Sequence, residues 1–241
     1  MPPVIHAHPS PNFNDRPDGT IIDTLIIHYT GMRSAEAAIA QLCLPAASVS
    51  SHYVIDEDGR ILQLVDDGKR AWHAGTGKSS WHGKDIMNNV SIGIEMINPG
   101  HEFGYRPFPD CQMESLIALC HLLQTRHPLK PHHVLGHSDI APMRKLDPGE
   151  LFNWQWLAEE NIGLWHGVDV AHMAVEPYVR TIAEIQADLH RYGYEVPLSG
   201  SLDDRTKAAI LAFKRHFYTQ QLDTDWDNAA QMMIERLQQL A

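Results

Sequence analysis

The segment GHSDIAPMRKLDPG, residues 136–149, places metal-binding and acid–base side chains beside residues that restrict the backbone. His137 and Asp147 lie in this segment, and the Pro-Gly pair after Asp147 limits the turn that holds the carboxylate. His28 lies near the end of the apolar run TLIIHYT, residues 24–30, a predicted buried strand. A catalytic zinc uses three nitrogen or oxygen ligands and keeps one position open for water. The sequence therefore predicts a metal site built from His28, His137 and Asp147.

Glu95 and Lys145 could supply the remaining chemistry of such a site. A hydrolytic site needs a general base for the water and a positive group for the developing oxyanion. Glu95 interrupts the apolar strand pattern VSIGIEMI, residues 90–97, where a carboxylate is costly unless it is paired or functional. Lys145 precedes Asp147 by two positions, so both side chains point to the same side if the segment is extended. We expect both residues to converge on one pocket.

The motif AWHAG, residues 71–75, is a second group with a functional interpretation. Trp72 and His73 precede a glycine in an expected loop, where an exposed aromatic ring can stack on a sugar or a peptide. A structural tryptophan is the alternative. The metal site also has ordinary alternatives, because any one of sixteen histidines can be a packed or surface residue. Considered by itself, Glu95 could be a surface residue on an edge strand. Lys145 could likewise form a solvent-exposed basic pair with Arg144.

Strands and covering helices must position these side chains. Alternating and apolar runs predict the strands, two of which form a hairpin around an Asp-Gly turn. A sheet covered by helices indicates an α/β domain. Residues 1–20, rich in Pro, Asn and Asp, are expected to form an irregular arm. The strands are expected at 24–30, 50–56, 60–66, 90–97 and 133–137, and the helices at 34–44 and 110–127.

The last third of the chain has a different character. Small and polar residues near 166–177, with Pro177 among them, indicate a linker. Three helices are predicted after it, and together they form a small bundle with a small core. These helices are expected at 181–193, 204–217 and 226–240. The predicted organisation is an arm at 1–20, an α/β domain at 21–166, a linker at 167–177 and a helical domain at 178–241.

The composition bounds the class of protein. Apolar residues make up 44% and charged residues 20% of the chain, as is typical of a soluble globular protein. A formal charge of −11 without a basic run argues against a nucleic-acid partner. Cys43, Cys111 and Cys120 are an odd number without a CxxC pair, which favours a reducing compartment over a disulfide framework. No apolar run is long enough for a membrane span, and the start does not resemble a signal peptide.

The motifs LIIHYT, SSHYVID, WHAG, SIGIEM and GHSDIAPMRKLDPG, in this order and separation, resemble the N-acetylmuramoyl-L-alanine amidase type 2 family, in its AmpD/AmiD branch. The likeness covers about residues 20–165. The family shares its fold with peptidoglycan recognition proteins, which implies a mixed central β-sheet flanked by helices. The tail, with YGY and ILAFKRHF, is similar to a peptidoglycan-binding helical domain that follows some of these amidases.

The resemblance assigns a role to each candidate residue. The family's zinc ligands correspond to His28, His137 and Asp147, and its catalytic glutamate and lysine to Glu95 and Lys145. All five positions carry the expected residue type. The resemblance implies that zinc and Glu95 activate a water, while zinc and Lys145 stabilise the tetrahedral oxyanion.

The implied reaction is hydrolysis of the amide between the lactyl group of N-acetylmuramic acid, or its 1,6-anhydro form, and the L-alanine of the stem peptide. Trp72, His73 and His52 are expected to line the substrate cleft. The implied partners are muropeptides and, through the C-terminal domain, polymeric peptidoglycan. Two alternatives stay open: a non-catalytic peptidoglycan-binding protein, and a zinc peptidase that cuts within the stem peptide.

The cues on cellular location conflict. The absence of a lipobox and the free cysteines favour a cytoplasmic enzyme that recycles 1,6-anhydro-muropeptides. The C-terminal likeness favours contact with polymeric peptidoglycan outside the cytoplasm. We expect a cytoplasmic location, with a periplasmic one as the alternative if a signal sequence has been removed.

Overall fold

The computed structural model describes residues 2–75, 79–174 and 180–241. The predicted linker lies partly outside these ranges, from residue 175 onward. The strands are β1 (Ile5–Ala7), β2 (Phe13–Asp15), β3 (Thr24–Tyr29), β4 (Tyr53–Ile55), β5 (Ile61–Gln63), β6 (Lys69–Ala71), β7 (Ser80–Trp81), β8 (Lys84–Asp85), β9 (Ser91–Met96) and β10 (Val134–Gly136). The helices are α1 (Ala35–Cys43), α2 (Gly100–Phe103), α3 (Asp110–Arg126), α4 (His137–Ile140), α5 (Trp154–Glu159), α6 (Ile182–Tyr192), α7 (Asp204–Phe217) and α8 (Asn228–Leu240).

The central sheet is mixed and has the strand order β1-β5-β4-β9-β3-β10. Strand β3 pairs in parallel with β9 on one side and with β10 on the other. Strand β4 is parallel to β9 and antiparallel to β5, so the predicted hairpin is present. The mixed sheet with its covering helices confirms the predicted α/β fold class.

Side-chain alternation separates the two faces of this sheet. Ile27 of β3 and Ile94 of β9 are fully buried in one apolar cluster with the inner side of α3. Ile26 belongs instead to a cluster on the opposite face. By the same alternation, His28 and Glu95 project from the face that α3 does not cover. None of the described helices has the length and apolarity needed to cross a membrane.

The three predicted C-terminal helices are present, and each begins at a side-chain cap. Thr181, Asp203 and Asp227 accept hydrogen bonds from backbone N–H groups in the first turns of α6, α7 and α8. Such caps satisfy donors that have no partner within the helix and are typical of helix starts. Asp203 and Asp227 are thus the residues at which α7 and α8 begin.

The C-terminal helices share a core with the α/β part of the chain. Phe213 of α7 lies in the same apolar cluster as Ile26 and Leu135 of the sheet. Trp81 makes edge-to-face contacts with the rings of both Tyr192 and Tyr194. The core of the helical bundle is thus continuous with one apolar face of the sheet, which adds buried surface to a bundle that was expected to have only a small core.

The arm at residues 1–20 contains two short strands where an irregular segment was expected. Strand β1 pairs in parallel with β5 and forms one edge of the central sheet, and β2 pairs with β6. Arg16 then reaches into the molecule and donates to the backbone carbonyls of Asn88 at 3.0 Å and Ser91 at 2.8 Å. Strands of three residues are too short for alternation to reveal them in the sequence.

Candidate active site and metal centre

Neighbouring strands bring the predicted site residues together. His28 of β3 lies directly opposite Glu95 of β9 in the parallel register. Strand β10, on the other side of β3, ends just before His137, the first residue of α4. Asp147 returns to this edge of the sheet, where its carbonyl accepts a hydrogen bond from the N–H of Ser138 at 2.9 Å. Crevices at the carboxyl ends of parallel strands are usual places for a ligand site.

The three predicted metal ligands meet at one point, and we call them the ligand triangle: His28, His137 and Asp147. Nδ1 of His28 lies 2.9 Å from Nδ1 of His137 and 3.1 Å from Oδ2 of Asp147. Nδ1 of His137 lies 3.0 Å from the same oxygen. Three mutual hydrogen bonds would need three shared protons, but two neutral imidazoles and a carboxylate supply two at most. The arrangement suits a shared cation, and two nitrogens with one oxygen form a donor set for a transition metal.

Burial gives the ligand triangle the charge state that a metal requires. His28, His137 and Asp147 are 1%, 3% and 5% exposed. Burial lowers the pKa of His137 to about 4, so its ring is neutral near pH 7 and can donate a lone pair. Burial alone would raise the pKa of Asp147, but the two histidines more than offset this and hold that pKa well below its usual range.

His73 and Ser91 orient His28. Nδ1 of His73 lies 3.0 Å from Nε2 of His28, and Nε2 of His73 lies 3.2 Å from Oγ of Ser91. The Ser91 hydroxyl donates to the carbonyl of Met87 at 2.6 Å, so its oxygen accepts from the Nε2–H of His73. Nδ1 of His73 then accepts from the Nε2–H of His28. This leaves Nδ1 of His28 without a proton and free to bind a metal.

Gly93 makes room for this arrangement. A Cβ atom at Gly93 would lie 2.4 Å from Cγ of His73, so only glycine fits here in β9. The N–H of Gly93 donates to Nδ1 of His52 at 3.0 Å, and Nε2 of His52 lies 3.1 Å from the carbonyl of Lys69. The buried ring of His52 is thus engaged by backbone groups.

A cavity of about 470 Å³ opens over the ligand triangle. Its volume lies in the range typical of small-molecule sites. Besides the triangle, Glu95, Lys145 and His73 line it, so it brings together most of the residues predicted from the sequence. Trp72 and His52 are not among its described lining residues; the indole N–H of Trp72 donates to Asn14 at 3.0 Å.

Glu95 presents a carboxyl group with a free oxygen to this cavity. The residue is 9% exposed, and its Oε2 has no hydrogen-bond partner among the described residues. Burial raises the pKa of Glu95 to about 7, although the nearby His28 opposes the shift. A carboxyl group with a pKa near neutrality can both accept and donate a proton during a reaction.

Lys145 supplies a positive charge to the cavity from the loop that follows α4. It lies after α4, where its N–H donates to the carbonyl of Ala141 at 3.1 Å, and its side chain forms no ion pair with any described residue. Arg144 lines the cavity as well, but its Nη2 donates to the carbonyl of Ala74 at 2.8 Å. The ammonium group of Lys145 is therefore available to a ligand.

Asp139 connects the C-terminal helices to the ligand triangle. This residue of α4 accepts hydrogen bonds from the N–H of Gly136 and the hydroxyl of Tyr194, both at 2.7 Å. Nδ1 of His216 lies 2.8 Å from Oδ2 of Asp139, the same oxygen that accepts from Gly136. Because Asp139 is two residues from His137, the C-terminal helices support the segment that carries a ligand.

Two further cavity residues were not found from the sequence. Tyr29 and His101 both line the cavity, and the Tyr29 hydroxyl lies 2.9 Å from Nδ1 of His101. The position of Tyr29 next to His28 was the one available signal. His101 lies in a segment with no recognisable motif, and only the fold brings it to the site.

The chain is similar to amidases in sequence. The family described as N-acetylmuramoyl-L-alanine amidase matches residues 18–150. The N-acetylmuramoyl-L-alanine amidase AmiD of Escherichia coli (strain K12) is 35% identical over 236 residues, which cover 89% of this chain and 83% of the relative. The 1,6-anhydro-N-acetylmuramyl-L-alanine amidase AmpD of Haemophilus influenzae is 32% identical over 169 residues, which cover 61% of this chain and 86% of the relative.

Solved structures show the same likeness. Escherichia coli AmiD in complex with the substrate anhydro-N-acetylmuramic acid-L-Ala-D-gamma-Glu-L-Lys has a TM-score of 0.79 and 32% identity, with 95% of this chain and 97% of that chain covered. AmpDh3 from Pseudomonas aeruginosa has a TM-score of 0.78 and 29% identity, with 92% and 93% covered.

The fold and the site together have the features of a hydrolase with a possible His/Asp metal centre, beside which lie a buried carboxyl group of raised pKa and a lysine without an ion partner among the described residues. With the matches above, the chain belongs to the N-acetylmuramoyl-L-alanine amidase family. It is an N-acetylmuramoyl-L-alanine amidase, as the sequence motifs predicted.

Proposed function

We propose that this amidase uses zinc to hydrolyse the amide between the lactyl group of N-acetylmuramic acid, or its 1,6-anhydro form, and the L-alanine of the stem peptide. The observation that carries the proposal is the ligand triangle under a cavity that also holds Glu95 and Lys145. Two imidazoles and one carboxylate, with room left for water, are the type of donor set that catalytic zinc uses.

The residues around the cavity divide the chemistry among them. When bound, zinc supplies a water of lowered pKa and a Lewis acid for the scissile carbonyl. Glu95, as the carboxylate, accepts the proton of the attacking water and returns a proton to the leaving amine of L-alanine. Lys145 places its ammonium group beside the oxyanion of the tetrahedral intermediate. The C–N bond then breaks, giving a free lactyl carboxylate and a free stem peptide.

Muropeptides are the proposed substrates, in peptidoglycan recycling or turnover. The AmiD structure holds anhydro-N-acetylmuramic acid-L-Ala-D-gamma-Glu-L-Lys, and a further AmpDh3 structure, at a TM-score of 0.74, holds an anhydromuramic pentapeptide. Both structures cover more than nine-tenths of this chain. A non-catalytic binder does not need the intact triangle and the free carboxyl oxygen of Glu95.

The C-terminal helices are proposed to contact polymeric peptidoglycan. In support, the AmiD match covers 89% of this chain and the AmpD match 61%, so the longer match includes C-terminal sequence. The division into an arm, an amidase domain, a linker and a helical domain stays a prediction, as does the cytoplasmic location. Cell fractionation with an antibody against the native chain would separate the cytoplasmic from the periplasmic alternative.

Mass spectrometry of a muropeptide digest tests the proposed function. The expected products are the free stem peptide with L-alanine at its amino end and the muramic acid moiety without a peptide. Shortened stems still attached to muramic acid would point to a zinc peptidase, and unchanged muropeptides would point to a binding protein. Comparing an anhydro-muropeptide with whole sacculi then tests contact with the polymer, because comparable rates on both would contradict a role limited to recycling.

A further inference from the structure

A second group of histidines lies outside the active-site cavity, and we call it the histidine trio: His82, His132 and His133. One potential ligand atom from each residue lies within 4.8 Å of the other two. His82 occupies the turn between β7 and β8, while His132 and His133 immediately precede β10. The fold thus brings three imidazoles together from two segments that are distant in the sequence.

The backbone holds the trio in place. His82 and Gly83 have φ angles of +50° and +70°, which is the combination of a two-residue type I′ hairpin turn. The N–H of His82 donates to the carbonyl of Gly193 at 2.9 Å, and the N–H of His133 donates to the carbonyl of Lys130 at 2.9 Å. A ligand that binds here therefore orders little additional backbone.

The side chains of the trio are free to bind a metal. His82 and His132 form no side-chain hydrogen bond with a described residue, and His82 is exposed to solvent. His133 is 3% exposed, and its Nδ1 lies 3.5 Å from Oδ1 of Asp23. A carboxylate behind an imidazole fixes the ring and leaves the other nitrogen, here Nε2, for a metal.

Two lysines and one aspartate lie near the trio, and one of the lysines, Lys130, forms no ion pair with a described residue. Lys84 lies close by, but its Nζ is paired with Oδ2 of Asp23 at 2.9 Å. Burial, together with the neighbouring histidines and lysines, lowers the pKa of His82 and His132, and burial lowers the pKa of His133 to about 4 in spite of Asp23.

We propose that the histidine trio is a second metal site that binds one divalent ion with a preference for imidazole nitrogen, such as Zn²⁺, Ni²⁺ or Cu²⁺. The ion joins the β7–β8 turn to the segment that leads into β10. Its role is structural, because no described carboxyl group with an unpartnered buried oxygen lies beside the trio to act as a general base. This inference is independent of the proposed amidase mechanism.

Zinc binding to the full-length chain without an affinity tag tests the proposal. After dialysis against Zn²⁺ alone, elemental analysis is expected to find two ions per wild-type chain and one per chain of the double variant His82→Ala/His132→Ala. Both substituted side chains are accessible from the surface, so the variant is expected to fold and to retain amidase activity. His172→Ala, which removes an exposed histidine outside the trio, serves as the matched control and is expected to keep two ions.

Thermal unfolding and Cu²⁺ spectroscopy complete the test. Added Ni²⁺ is expected to raise the Tm of the wild type and of His172→Ala more than that of the double variant. The paramagnetic resonance spectrum of bound Cu²⁺ is expected to show nitrogen hyperfine structure that the double variant loses. Equal ion counts and equal Tm shifts in the wild type and the double variant would overturn the proposal.

Discussion

The ligand triangle and the histidine trio each bring three potential metal ligands together, but only the triangle has the surroundings that hydrolysis needs. The triangle is buried, contains a carboxylate and lies below a cavity that Glu95 and Lys145 also line. The trio contains imidazoles only, and its nearby Lys84 is bound to Asp23. The comparison teaches that an unpartnered carboxyl group beside the ligands, more than the ligand count, makes a metal site catalytic.

Removing a ligand of the triangle is expected to have the largest effect. His137→Ala leaves two ligands and deprives Asp147 of one of its partners, so amidase activity should fall to background. Hydrolysis of a muropeptide and elemental analysis on the same sample provide the measurement. The trio should keep its ion in this variant. Activity close to that of the wild type would show that the triangle is not the catalytic metal site.

A substitution of Glu95 is expected to lower the catalytic rate without changing zinc binding. Glu95→Gln keeps the shape of the side chain but removes the base, so kcat is expected to fall by about 10²- to 10⁴-fold. The zinc content should not change, because Glu95 is not one of the ligands. Steady-state kinetics and zinc analysis on one preparation check both points.

The pH dependence of the wild-type rate also tests whether Glu95 is the general base. Burial raises the pKa of Glu95 to about 7, and the carboxylate is the form that accepts a proton. The rate is therefore expected to rise as pH increases through this pKa and to fall below it. An acid limb that persists unchanged in Glu95→Gln would assign that limb to another group.

Lys145 and Lys84 form a matched pair for testing the contrast between the two sites. Lys145→Ala removes the unpaired ammonium group from the cavity, and kcat is expected to fall by about 10²- to 10³-fold, the usual cost of losing one oxyanion donor. Lys84→Ala, near the trio, is expected to leave kcat unchanged. Similar losses in both variants would mean that Lys145 acts through overall charge or stability.

The smallest expected effect concerns the residue that orients His28. His73→Phe keeps a buried ring but removes the acceptor for the Nε2–H of His28, so zinc affinity is expected to fall by about 10- to 100-fold. Competition with a chelator measures this affinity directly. With saturating zinc, kcat should recover most of its wild-type value. Unchanged affinity would show that His73 does not act through His28.

Much of the fold and the triangle could be predicted from the sequence because their signals are local. The apolar run before His28 and the alternation around Glu95 each define a strand, and adjacent strands place the side chains at their ends together. The ordinary alternative for Glu95, an edge strand, is wrong for a simple reason: β9 lies inside the sheet between β4 and β3.

Features that depend on distant contacts could not be predicted in the same way. The hydrogen bonds of Asp139 with Tyr194 and His216 join segments far apart in the chain, and no local pattern marks them. The histidine trio depends on the β7–β8 hairpin, whose two-residue strands carry no detectable periodicity. The two short strands of the arm, β1 and β2, could not be predicted for the same reason.

The most direct test of the central claim is the position of bond cleavage and its dependence on zinc. A 1,6-anhydro-muropeptide is hydrolysed in water enriched in heavy oxygen, with the protein as prepared, after chelation and after zinc is restored. Heavy oxygen should enter the lactyl carboxylate of the muramic acid, with no turnover after chelation and recovery with zinc. Label in an amino-acid carboxylate of the stem, or full activity after verified removal of the metal, would contradict the assignment of a zinc-dependent amidase.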